Sequence, residues 1–348
     1  MPSDAPLPVS RFVESSGPLI DVRSPAEFSQ GHLPGAINLP LFSDAERAEI
    51  GTLYKHRGRR QAVLQGLALV GPRLEVMAGR LVELSAGNPA PLRLYCWRGG
   101  MRSGSVAWLA ETVDLRCQRL AGGYKSFRRW VLEHFEQPWP LVLLGGRTGS
   151  GKTELLLELQ RQGAAVVDLE GLAQHRGSSF GGLGMAPQPS SEQFENRLAM
   201  ALRACGDAAP IWVEAESAQV GRCRIPGAFW QQMQHAGVVE LRRSDAERVA
   251  RLVAVYGDQG AEGLSEATRR ISKRLGPQRT QLALEAIAQG DMAAACRQML
   301  DYYDRCYDHE SDHSGRAPLL QLEAGGMGDP QLAAQLRHWQ AGQSWRLD

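Results

Sequence analysis

The chain has 348 residues, 43% of them hydrophobic and 22% charged, with 39 basic residues against 38 acidic ones. At roughly 150 residues per domain this is about two domains, each able to bury a core, and the charge balance excludes a protein drawn to DNA or a membrane by its bulk field. No apolar run nears the ~20 residues of a membrane span. The first eleven residues are Pro-rich and polar with no signal-peptide core, and none of the six cysteines forms a Cys-x-x-Cys pair. These features predict a cytoplasmic protein with reduced thiols.

The first half reads as short strands alternating with helices. Strands are expected at 18–22, 92–95 and 117–120, with a mainly helical stretch over 46–84 broken at Gly71-Pro72 and a helix over 103–111. Such alternation predicts a parallel sheet covered by helices. The two prolines in Glu136-Gln137-Pro138-Trp139-Pro140 end a helical segment and divide the chain into domains 1–135 and 136–348. The second half opens strand, loop, helix over 141–160, with further strands at 165–169, 211–214 and 238–241. Residues 244–310 are largely helical, with breaks near 257–263, at Gly276-Pro277 and at Gly290, and read as a helical subdomain. The expected fold class is α/β throughout.

The first chemical motif is Cys96-Trp97-Arg98-Gly99-Gly100-Met101-Arg102, between a strand and a helix. Glycines let successive N–H groups curl around one point, and a helix N-terminus adds positive partial charge. With Arg98 and Arg102 the loop predicts an anion pocket that favours thiolate at Cys96; a free cysteine has a pKa of ~8.5, and such surroundings lower it to ~3.5–7.5. An ordinary core cysteine needs no arginine on both sides of a Gly-Gly pair. The Cys-x5-Arg spacing also fits cysteine phosphatases, and the loop has room for a phosphate or a selenophosphate; spacing alone does not choose.

The second motif, Gly146-Arg147-Thr148-Gly149-Ser150-Gly151-Lys152-Thr153, matches the P-loop pattern in full, after a strand and before a helix. Its N–H groups would cradle a diphosphate, Lys152 would neutralise the outer oxygens, and Thr153 could hold Mg²⁺. The motif reports a polyphosphate and leaves ATP open. Asp168, Glu214 and Glu216 follow strands, where partners of the metal or of an attacking water belong. No Asn-Lys-x-Asp stretch argues for guanine.

Basic clusters at 55–60, 125–129 and 269–274 are either solvated faces or parts of a groove for a folded RNA. His175-Arg176-Gly177-Ser178-Ser179-Phe180-Gly181 is a donor-rich loop near the phosphate edge, to be read as a substrate loop or a connection. His309-Glu310-Ser311-Asp312-His313 fits a zinc-protease pattern, but its polar neighbours place it on a helix end rather than at a buried metal.

Ile20-Asp21-Val22-Arg23-Ser24-Pro25-Ala26-Glu27-Phe28, with Gly31-His32-Leu33-Pro34-Gly35-Ala36-Ile37-Asn38, resembles the opening signature of rhodanese domains, and Leu120-Ala121-Gly122-Gly123-Tyr124 resembles their closing turn. The resemblance implies that Cys96 carries sulfur or selenium or acts as a nucleophile. Asp21, Glu27 and His32 are read as holding strand ends and loops.

A rhodanese-like domain followed by a P-loop domain resembles the bacterial tRNA 2-selenouridine synthases. The stretches Asp168-Leu169-Glu170-Gly171-Leu172-Ala173 leading into His175-Arg176-Gly177-Ser178-Ser179-Phe180-Gly181, Gln193-Phe194-Glu195-Asn196, Val213-Glu214-Ala215-Glu216-Ser217 and Tyr302-Tyr303-Asp304 agree with that family, and nothing is recognised in the last ~35 residues. The resemblance implies conversion of wobble 5-substituted 2-thiouridine to 2-selenouridine in the tRNAs for Lys, Glu and Gln. The route is S-geranylation by geranyl diphosphate, then selenium transfer from selenophosphate, with transient contact to a selenophosphate-supplying enzyme and no role for DNA or a membrane. The alternative is a rhodanese-type cysteine phosphatase or sulfurtransferase fused to an ATP-dependent kinase or ATPase.

Overall fold

A computed structural model of the chain describes residues 5–206, 208, 210–314, 317–343 and 345, and of residues 310–314 the backbone only. The chain forms two compact units, one ending at His134 and the other beginning at Phe135.

The first unit is built on four parallel strands in the order Ile37–Asn38, Leu19–Asp21, Leu92–Tyr95, Cys117–Arg119. Ile20, Leu92 and Leu94 from the central strands pack with Leu81 and Val106 from flanking helices, all essentially inaccessible. Burial on both faces is what parallel strands require. The stretch expected to be helical over 46–84 is the helix Asp44–Val70, a single 3₁₀ turn at Gly71–Arg73 and the helix Leu74–Ser85. Ser43 and Glu46 start it with a capping box. The first helix also kinks at Gly58, whose φ of 82° only glycine adopts at low cost; the sequence reading did not foresee that kink.

The second unit has five parallel strands in the order Leu320–Glu323, Gly237–Arg242, Leu141–Gly145, Ile211–Glu214, Ala165–Val167. The central strand Leu141–Gly145 is buried along its whole length. Its continuous apolar run fits a middle position with helices on both faces. The edge strand Leu320–Glu323 and the helix Asp329–Ala341 come from the terminal segment in which the sequence showed nothing recognisable. That helix buries Leu332, Ala333 and Leu336 against Leu155 and Leu159, and Gln340 accepts a hydrogen bond from Trp212 Nε1 at 3.0 Å.

The expected helical subdomain is present as Asp245–Tyr256, Ala261–Arg270, Ser272–Leu275, Pro277–Ala288 and Met292–Ser314. Its breaks fall at the glycines read from sequence, with Gly260, Gly276 and Gly290 all at positive φ. Leu264, Ile271, Ile287 and Met299 close a separate small core with Phe180. The His309–His313 motif lies at the end of the last of these helices, and its side chains from residue 310 onward are outside the described residues.

Candidate functional site

In the first unit the strand Leu92–Tyr95 delivers Cys96 to the mouth of a loop that runs into the helix Met101–Thr112. The closing turn lies directly against this loop. Tyr124 N–H donates to Cys96 O at 2.8 Å and Lys125 N–H to Trp97 O at 3.0 Å. A Cβ on Gly123 would stand 2.2 Å from Cys96 O and 2.4 Å from Gly99 N, so the Gly-Gly pair of the turn answers a packing demand of the cysteine loop. Cys96 is buried, and its Sγ lies 3.3 Å from Ser103 Oγ. Ser103 is therefore the side-chain partner of the sulfur. The sequence reading missed it because it looked only at charge.

The two loop arginines differ. Arg98 is exposed and forms no ion pair among the described residues. Arg102 donates to both oxygens of Glu27, at 2.6 and 3.2 Å. Burial alone would raise the Glu27 carboxyl, but Arg102 outweighs it and holds that carboxyl below its ordinary range. Glu27 thus fixes a loop arginine as well as the start of its own helix, where Ser24 N–H donates to it at 3.2 Å. Asp21 does act as a strand-end anchor. It forms a fully buried pair with Arg23 at 2.6 Å, and Arg23 lies 3.8 Å above the ring of Tyr124.

A cavity of about 1300 Å³ opens on Cys96. Its walls come from the helices Asp44–Val70, Leu74–Ser85 and Met101–Thr112, through Tyr54, Leu67, Met77, Met101 and Trp108 among others. Sequence periodicity did not reveal it, because Tyr54, Leu67, Met101 and Trp108 lie outside the buried faces of their helices.

In the second unit residues 146–153 follow the strand Leu141–Gly145 and lead into the helix Lys152–Arg161, as expected. Gly146, Gly149 and Gly151 have φ of 147°, 80° and 86°, and a Cβ on Gly146 would meet Leu241 O at 2.6 Å. Lys152 Nζ donates to Gly146 O at 3.0 Å, bending back over the loop toward the place an anion would occupy. Ser150 is buried with its hydroxyl unpartnered. Thr153 Oγ1 donates to Glu170 Oε2 at 2.8 Å, so Glu170 is the carboxylate beside the P-loop hydroxyl.

The three acidic residues singled out from sequence take different places. Asp168 accepts from Gly171 N–H at 2.7 Å and caps the short helix Leu169–Ala173. Glu214 is fully buried; one oxygen accepts from Leu169 N–H at 2.8 Å and the other has no partner. Burial, reinforced by the charges of Asp168 and Glu170, pushes the Glu214 carboxyl well above its ordinary value. Burial likewise pushes Glu170 up, against the pull of Lys152 and Thr153. Glu216 lies on the wall of the P-loop cavity, about 270 Å³ in volume, with Glu170, Arg176 and Ser178. The donor-rich loop at 175–181 therefore borders this cavity.

The P-loop is gripped from the helical subdomain. Arg147 pairs with Asp308 at 2.8 Å and reaches Asp304 at 3.6 Å. Arg248, fully buried, donates to Thr148 O at 2.9 Å and to both oxygens of Asp304. Beside Thr148 the cavity adjoins a small apolar pocket of about 50 Å³, lined by Leu252, Ile287, Met299 and Tyr303 among others. Among the described residues no cluster of three His, Cys, Asp or Glu side chains is placed to hold a metal ion.

A parallel-sheet unit presenting a cysteine loop and a second presenting a P-loop define a rhodanese domain joined to a P-loop domain. The rhodanese-like domain family matches residues 9–129, and the tRNA 2-selenouridine synthase AAA domain matches residues 139–324. A tRNA 2-selenouridine synthase of Pseudomonas fluorescens (strain Pf0-1) is 38% identical over 86% of this chain and 89% of its own length. One from Shewanella denitrificans is 37% identical over 92% of this chain and 96% of its own. The chain belongs to the tRNA 2-selenouridine synthase family. No described helix is long and apolar enough to cross a membrane.

Proposed function

We propose that the protein converts wobble 5-substituted 2-thiouridine to 2-selenouridine in tRNA in two steps, one at each loop, with residues 1–135 and 136–348 as the two working domains. The observation that supports this most is that the chain carries two anion loops, a P-loop and a cysteine loop, with a large apolar-walled cavity beside the second. An isoprenyl diphosphate and a thioether carrying the same chain call for that combination.

In the first step the thiouridine sulfur attacks C1 of geranyl diphosphate. A C–S bond forms, the C–O bond breaks, diphosphate leaves with the electron pair, and the N3 proton of the base passes to solvent. Loop N–H groups and Lys152 offset its growing negative charge. Thr153 and Glu170 form an all-oxygen pair suited to Mg²⁺, which takes one or two protein ligands and fills the rest from phosphate and water. ATP has no part in this reading.

In the second step selenophosphate occupies the loop 96–102, beside Arg98. Its selenium already has the oxidation level of the product, so the exchange is redox-neutral. Cys96 Sγ attacks phosphorus, the P–Se bond breaks, and its electron pair goes to selenium. Selenide then bonds to C2 of the geranylated base and geranyl thiolate leaves. Water clears the phosphoryl group from Cys96 as phosphate. The tRNA acceptors for Lys, Glu and Gln, and passage of selenophosphate from the enzyme that makes it, belong to the same reading.

The test is an omission series. A tRNA carrying 5-methylaminomethyl-2-thiouridine is incubated with the protein, geranyl diphosphate and selenophosphate, each left out in turn, and its nucleosides are weighed. The reading predicts a geranylated thionucleoside without selenophosphate and a selenonucleoside with both. No mass change with folded protein, alongside turnover of an aryl phosphate and ATP, would favour the phosphatase–ATPase alternative.

A further inference from the structure

We infer that the groove on the first unit is the binding site for the isoprenyl chain of the geranylated nucleoside, holding it while selenium replaces sulfur; this rests on the two-step reading above. The cavity, about 1300 Å³, is larger than the ~300–1,000 Å³ of usual small-molecule sites. A tetrahedral oxyanion needs only the loop, so most of this volume serves something else.

Its lining says what. Leu67 is 64% exposed, Trp108 60%, Tyr54 58% and Met101 48%. These side chains come from two helices and all face one cavity. Scattered exposed apolar residues need no explanation, but a contiguous patch marks a binding surface. The floor is shared with the reactive loop, since Cys96, Trp97, Arg98 and Met101 are both loop and groove wall. An occupant of the groove therefore has one end at Cys96 Sγ.

The rim is cationic. Lys55 and Arg98 border the groove, and Arg59 reaches across it to Met101 Sδ at 3.7 Å. An apolar trough that ends on a nucleophilic sulfur and is edged by cations fits a nucleotide bearing a branched alkenyl thioether. The chain lies on Leu67 and Trp108, the phosphodiesters meet the rim, and C2 of the base faces Cys96. Apolar burial of the chain then selects geranylated over unmodified tRNA for the second step.

The experiment compares two RNA stem-loops, one with S-geranyl-2-thiouridine and one with S-methyl-2-thiouridine at the wobble position. Each is mixed with selenophosphate and the full chain, as wild type, Leu67→Glu, Trp108→Glu or Trp108→Phe. Both sites are exposed, so folding is retained, and circular dichroism checks it. Binding is read separately from Trp fluorescence. The inference predicts that the glutamate variants lower kcat/KM on the S-geranyl substrate at least about tenfold, the scale of lost apolar contacts. Trp108→Phe should retain most of it, and the S-methyl substrate should be unaffected within about twofold. Equal loss on both substrates, or a concentration-dependent dimer that the variants dissociate, overturns the inference in favour of RNA or a second copy on the groove. Wild type that converts both substrates with equal kcat/KM also overturns it, while leaving the two-step reaction standing. Wild type that binds the S-geranyl stem-loop more tightly than the S-methyl one, yet forms no selenonucleoside, upholds the groove and overturns the reaction.

Discussion

Gly123 shows how much of the loop geometry at Cys96 rests on backbone. Its φ of 62° lies in the left-handed region, and its missing Cβ leaves room for Cys96 O and Gly99 N. Gly123→Ala should cost at least ~1–2 kcal/mol from the backbone conformation alone and displace the loop. It is expected to abolish selenonucleoside formation while geranyl transfer persists, as nucleoside masses will show. Glu214 carries a different prediction. Its folded-state carboxyl is raised well above the ordinary 4.5 by burial first and by Asp168 and Glu170 second. The native state therefore holds a proton that the unfolded chain gives up, and stability falls as pH rises from about 4.5 toward the folded value. Glu214→Gln keeps an acceptor for Leu169 N–H and removes this penalty. Its melting temperature relative to wild type should therefore improve between pH 4.5 and 7.5. A difference that does not change with pH would contradict the assignment.

At the scale of elements, the helix Met292–Ser314 acts as a clamp on the P-loop through Asp304 and Asp308. Arg248 joins Thr148 O to Asp304 and is itself 1% exposed. Asp304→Asn leaves that guanidinium with only Asp245, at 2.9 Å, as a charged partner. The change should cost roughly 1.5–3 kcal/mol, the range for a charged hydrogen bond, measurable by urea unfolding. It should also raise KM for geranyl diphosphate more than it lowers kcat. The Tyr-Tyr-Asp stretch was legible from sequence as a family feature, but the role of its Asp304 was not, because the arginines it pairs with lie 56 and more residues away. The same separation hid the Glu27–Arg102 pair, which spans 75 residues. Periodicity and glycine breaks did reveal the alternating strands, the P-loop setting and the helical subdomain, since those signals are local. The edge strand Leu320–Glu323 escaped for the converse reason: a four-residue strand with one buried side chain gives almost no pattern.

At the scale of the whole molecule, the chain holds separate cores around Leu94 and Leu144, and near-zero net charge leaves recognition of RNA to local features. The three basic clusters lie mainly on exposed helix faces, and Lys55 and His56 border the Cys96 groove. Two compact units predict two calorimetric transitions. Geranyl diphosphate at a hundredfold excess over its Kd should stabilise the P-loop unit by about 2.7 kcal/mol and leave the other transition in place. Lys152→Ala should lose the shift. One merged transition that moves as a whole would show that the units do not unfold separately.

The most direct test of the central claim, one step at each loop, crosses two variants with two substrates. Cys96→Ala and Lys152→Ala are each given 2-thiouridine tRNA with geranyl diphosphate, and separately S-geranylated tRNA with selenophosphate. The account predicts that Cys96→Ala forms the geranylated nucleoside but no selenonucleoside, and that Lys152→Ala does the reverse. Loss of both products in either variant, with folding intact, would contradict it.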